Sequence, residues 1–173
     1  MSTDYGLSTD DCRLSYIPPM SAALLTSAAL SFAGVLLTGW YGLTGASLSR
    51  HIYFGICSTM LTLLTHSMLM FYLIGKGKAV REAAEEGGLS ADFARRIARL
   101  RRPVFSLATV AMSLTIVTAL LGASVDTGML PSSVHGLLAA VAVAANVAML
   151  RAEVTALVGS AEIVRDVSRL LNA

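Results

Sequence analysis

The chain has 173 residues, of which 55% are apolar and only 14% charged, with a formal net charge of +2. Soluble domains carry about 25% charged residues, so a water-soluble globular fold is set aside at the outset. Nucleic-acid binding is set aside with it, because that function needs a concentrated basic surface that a net charge of +2 does not supply.

The first 19 residues form a polar tail in which Asp4, Asp10 and Asp11 stand against Arg13 alone. With no basic start and no short apolar core before a small-residue cleavage pattern, this tail does not read as a secretory signal. No Asp, Glu, Lys or Arg occurs between Arg13 and Arg50. The apolar density there predicts a first membrane span over about 20–43. Further spans are predicted over 53–74, 103–125 and 134–150, each close to the roughly 20 residues that cross a hydrocarbon core of about 30 Å. Continuous apolar runs without two-residue alternation mean helices rather than a barrel. The fourth run is the shortest, and Arg151 can snorkel to the headgroups at its end.

Between the second and third spans lie Lys76, Lys78, Arg81, Arg95, Arg96, Arg99, Arg101 and Arg102. The other two connections hold Arg50 in one and Asp126 without a basic residue in the other. Basic loops stay on the cytoplasmic side, so the expected topology puts 76–102 and both termini in the cytoplasm of an inner-type membrane. A disulfide between Cys12 and Cys57 is excluded by this topology, which separates them across the inner leaflet. The 76–102 segment reads as an amphipathic helical hairpin. Gly87-Gly88 breaks it and Ser90 caps its second arm, with Asp92 in the first turn. On that arm Phe93, Ile97 and Leu100 share one face and Arg95, Arg99 and Arg102 another, a pattern that suits anionic lipid headgroups. Gly75-Lys76-Gly77-Lys78 lacks the spacer and the Ser or Thr of a phosphate loop. Residues 151–173 carry a second apolar stripe, which includes Val154, Leu157, Val158, Val164, Val167 and Leu171, and extend the fourth helix into the cytoplasm. The fold class is therefore all-α integral membrane: a single four-transmembrane-helix bundle over 20–173, with a cytoplasmic amphipathic helical hairpin and a C-terminal amphipathic extension.

Small residues along the first span (Ala23, Ser27, Ser31, Gly34, Thr38) and the alanines from 139 to 148 provide seams for close helix packing in lipid. Oligomerisation would use the same seams. Polar residues inside the spans are few and costly. His51, Gly55, Ser58, Thr62 and His66 fall on one stripe of the second span, and His135, Ala139, Ala142, Asn146 and Glu153 on one stripe of the fourth. In this reading His66 bonds a neighbouring Ser or Thr. Because His51 and His135 both begin their helices at the outer surface, they suit two axial ligands of a haem b, with His66 in reserve. Asp126 beside them gives a weaker metal option, and Ser132 or Ser133 is expected to cap the fourth helix. There is no catalytic signature, and the spans lack the charged residues that line ion routes.

Three functions follow in order: a noncatalytic accessory or anchoring subunit of a larger membrane complex, with a protein partner or a second copy; a small b-type cytochrome; and an oligomeric channel or transporter.

Overall fold

A computed structural model describes residues 19–172; the expected N-terminal tail, with Cys12, lies outside them. Four helices follow one another: α1 (Pro19–Thr44), α2 (Leu48–Glu86), α3 (Asp92–Asp126) and α4 (Ser132–Leu171). Each is long and apolar enough to cross a membrane. The chain turns at Gly45, Gly88 and Gly128, which carry the positive φ values of the described residues, 63°, 63° and 73°. A side chain there would be strained. These turns define two ends, one with the 45–47 and 127–131 loops and the other with the 87–91 turn.

Only 17% to 33% of the most apolar window of each helix is buried. Leu43, Phe71, Leu120 and Trp40 are each more than 60% exposed. A bundle that turns its large apolar side chains outward is matched to lipid, since water would favour their collapse against one another. Inside, α1 packs along α2, α3 along α4, and α2 along α3, while α1 and α4 meet over a shorter seam.

Two apolar cores succeed each other along the bundle. The first gathers Leu24, Leu69, Leu73, Val104, Met149 and Leu157 with the small residues Ala108, Ala111 and Ala156. The second, towards the 87–91 turn, consists of Val80, Ile97, Ile163 and Val167 with Phe93 and Leu100 against them.

Several expectations change here. The basic hairpin is not a separate element, because α2 runs unbroken to Glu86 and α3 starts at Asp92. Ser90 is not the N-cap, a position taken by Ala91, although the Asp92 amide donates to Ser90 Oγ at 3.2 Å. Helix α3 also continues through Pro103, an exposed position where the missing N–H and the ring are tolerated. Neither Ser132 nor Ser133 caps α4; its N-cap is Pro131, without a side-chain bond. The apolar face of the 92–102 arm does not lie free for lipid, since Ile97 is 4% exposed within the second core. The stripe beyond Leu150 covers that arm in turn.

Candidate functional site

Two polar clusters sit inside the bundle at different depths. The deeper one centres on His66 of α2, which is 4% exposed. Its Nδ1 lies 2.8 Å from Glu153 Oε1 and its Nε2 lies 3.2 Å from Asn146 Oδ1, both on α4. Asn146 Nδ2 donates to Thr115 Oγ1 on α3 at 3.1 Å and to the Ala142 carbonyl at 2.8 Å. Thr115 Oγ1 donates in turn to the Ala111 carbonyl. One side-chain network thus ties α2, α4 and α3 together. Beside it Thr62, fully buried, shares a hydrogen bond of 2.6 Å with Ser31 of α1. Ser58 bonds Thr38 at 3.2 Å. Interhelical hydrogen bonds of this kind hold helices in register where lipid offers no other partner.

The second cluster lies towards the 45–47 and 127–131 loops. His51 of α2 and His135 of α4 meet there, their ring centroids 6.0 Å apart and their planes at 87°. His51 Nδ1 donates to the Thr38 carbonyl of α1 at 2.9 Å, which leaves Nε2 for another partner. The Thr118 backbone of α3 stands near the His135 ring, whose Nδ1 is buried and without a hydrogen-bond partner. Glycines seat both rings. A Cβ on Gly42 would come within 2.9 Å of His51 Cε1, and one on Gly122 within 3.3 Å of His135 Cε1. Each half of the bundle therefore presents the same sequence of parts: a threonine carbonyl, a glycine four residues later, and a histidine on the next helix.

Around this pair the side chains are half-buried or exposed. Towards that end the last buried side chain is Ser31 on α1, Ser58 on α2, Thr115 on α3 and Ala142 on α4. Beyond these positions each helix runs on for roughly three turns, about 15 Å, with no buried side chain among the described residues.

The structure brings His51 and His135 together and takes His66 away from them, into the Glu153 network. His66 bonds a carboxylate and an amide rather than the Ser or Thr expected from its own stripe. The buried stripe of Ser58, Thr62 and Asn146 is in place, at 5%, 0% and 6% exposure. No group of three or more His, Cys, Asp or Glu side chains that could hold a metal ion occurs among the described residues, so Asp126 does not complete a site with the two histidines. Of the residues proposed for lipid headgroups, Arg95 and Arg99 lie 3.7 and 3.5 Å from Asp92, while Arg102 is exposed. Gly42, Thr118 and Gly122 escaped the sequence reading, and Thr38 entered it only as part of a packing seam. The recurrence of Thr, three residues and Gly ahead of a histidine in both halves was the available signal. Comparison with protein families, curated proteins and solved structures gives no match.

Proposed function

We propose that the chain is a small b-type membrane cytochrome, with His51 and His135 as the axial ligands of a haem b held between α2 and α4. The observation that carries this reading is the pairing of the two histidines across α2 and α4, with one ring nitrogen of His51 held by a carbonyl and the other left open. The two rings stand 6.0 Å apart, close enough for both imidazoles to reach one shared group. Ligating histidines characteristically donate their second ring nitrogen to a carbonyl, which fixes tautomer and ring orientation. Thr38 accepts in this way from His51, and the Thr118 backbone stands near the His135 ring. Gly42 and Gly122 let each ring sit against the neighbouring helix.

Held there by His51 and His135, a haem would supply one-electron oxidation and reduction. The residues orient the two rings, exclude bulk water through the surrounding apolar helices, and fix the His51 tautomer by offering its Nδ1–H the Thr38 carbonyl. In this reading the arginine-rich turn faces the cytoplasm and the histidine pair lies near the opposite surface.

The accessory-subunit reading rests on short outward loops, small-residue seams and two amphipathic segments able to dock a partner. Those segments cover each other in the second core, so that motive is weaker. Purification after expression with haem supply tests the proposal. A Soret band with α and β bands on reduction, abolished in both His51→Ala and His135→Ala and retained in His66→Gln, is expected. Colourless wild-type protein would end it.

A further inference from the structure

We propose that His66 and Glu153 form a buried one-proton exchange site, holding a proton between α2 and α4 and exchanging it through a single water molecule at Glu153 Oε2. This site is separate from the histidine pair and does not depend on haem.

Protonation follows from the bonding pattern. Asn146 spends both amide hydrogens on Thr115 Oγ1 and the Ala142 carbonyl, so it presents Oδ1 to His66 and acts there only as an acceptor. His66 Nε2 therefore carries a hydrogen. The remaining hydrogen lies between Nδ1 and Glu153 Oε1, 2.8 Å apart. It can reside on the nitrogen, giving imidazolium and carboxylate, or on the oxygen, giving two neutral groups. Either arrangement has no net charge, which suits a site 2% to 4% exposed. Loss of that single proton leaves one carboxylate charge behind.

An exit exists on one atom. Glu153 Oε2 is buried and has no partner. Glu153 lines a cavity of about 10 Å³ together with Ala28, Ser31, Phe32, His66, Asn146 and Leu150. Among those lining residues His66 and Glu153 are the only titratable groups. A cavity of this size takes about one water molecule, and the hydroxyl, amide and carboxylate around it supply the two to four polar partners such a water needs. The cavity lies where α1 meets α4, the shorter seam of the bundle. On loading, an O–H bond of a hydronium ion in the cavity breaks, an O–H bond forms on Oε2, and water remains. Rotation of the carboxyl group then presents the proton to His66 Nδ1. Unloading reverses these steps.

The test uses the full chain, labelled with ¹⁵N-histidine, in lipid nanodiscs. The hydrogen between His66 and Glu153 gives a far-downfield proton signal, and its exchange with water is read by saturation transfer. That signal is expected in wild type, with exchange on the timescale of the measurement, and is expected to vanish in Glu153→Gln. Filling the cavity from α1 with Ala28→Leu leaves the bond in place and slows exchange by about tenfold or more by expelling the water. A hydrogen that does not exchange in wild type marks a sealed structural pair and overturns the proposal. So does unchanged exchange in Ala28→Leu. If Glu153→Gln does not fold, the Ala28→Leu comparison still decides.

Discussion

Glu153→Leu removes the acceptor of the His66 bond and leaves Nδ1 facing an apolar side chain in a position that water does not reach freely. The proton of the pair moves to whichever partner remains in the neutral form, so the loss is that of a hydrogen bond and not of a separated charge pair. An interhelical hydrogen bond in lipid averages about 0.6 kcal/mol and reaches about 1.7. An orphaned buried polar group adds about 1 to 3 kcal/mol. His66 is bonded at both nitrogens and sits at 4% exposure, which places the single variant at about 2 to 4 kcal/mol. His66→Leu falls in the same range, because it leaves Glu153 Oε1 and Asn146 Oδ1 without a donor. The double variant removes both ends of the bond, so its cost is below the sum of the two by about 2 kcal/mol, roughly a thirtyfold difference in the unfolding equilibrium. Reversible unfolding in mixed detergent micelles with a graded denaturing detergent measures all three. Additive costs, or single variants within about 0.5 kcal/mol of wild type, would refute the coupling between α2 and α4 at this level.

Other outcomes follow from the close contacts. Gly42→Ala pushes a methyl group onto His51 Cε1, whereas Gly39 has nothing within 4 Å of an added Cβ; the reduced-minus-oxidised spectrum should weaken or shift in Gly42→Ala and stay unchanged in Gly39→Ala. Gly34→Leu meets Ser58, whose Cβ already lies 3.0 Å from the position of a Cβ there, and should destabilise the α1–α2 packing by about 1 to 3 kcal/mol in the same detergent titration. At Gly75, with open space around it, alanine should stabilise α2 by about 0.5 to 1 kcal/mol. Ile163→Asp buries a carboxylate in the second core, where Ile163 is 2% exposed, and limited proteolysis should then cut the 151–172 segment while leaving the apolar windows intact.

The four helices were legible because lipid imposes a constraint that shows directly in sequence: charge disappears for about 20 residues at a time. Their true ends were not. Lys76 and Lys78 on α2 and Arg95 to Arg102 on α3 mark where apolar composition stops, but charged residues are good helix formers, so the hydrogen-bonded ladder continues past them to the Gly87-Gly88 break. That is why a separate hairpin was expected and two long helices were found. The His66 partner was hidden for a related reason. Span four ended at Leu150 by composition, which left Glu153 outside it, although Glu153 shares a stripe with His135 and Asn146. A bond between residues 87 positions apart depends on the register of α2 against α4, and register comes from packing that no local pattern records. The juxtaposition of His51 and His135 was accessible by depth alone, since both begin their helices at the same end. The glycines that seat them were not, because a Gly in an apolar span has many uses.

Helix α4 runs for 40 residues without a break, about 60 Å, and it carries His135 near one tip, Asn146 and Glu153 at mid-length, and Arg165 and Arg169 near the other. A rod of that kind cannot turn at one tip alone. Any twist that re-aims His135 swings the arginines through the same angle, so the two ends of the bundle are coupled by leverage, with no chain of relayed contacts. Paired spin labels, one against each end of α4, would move in concert if this is so and independently if the helix yields in the middle.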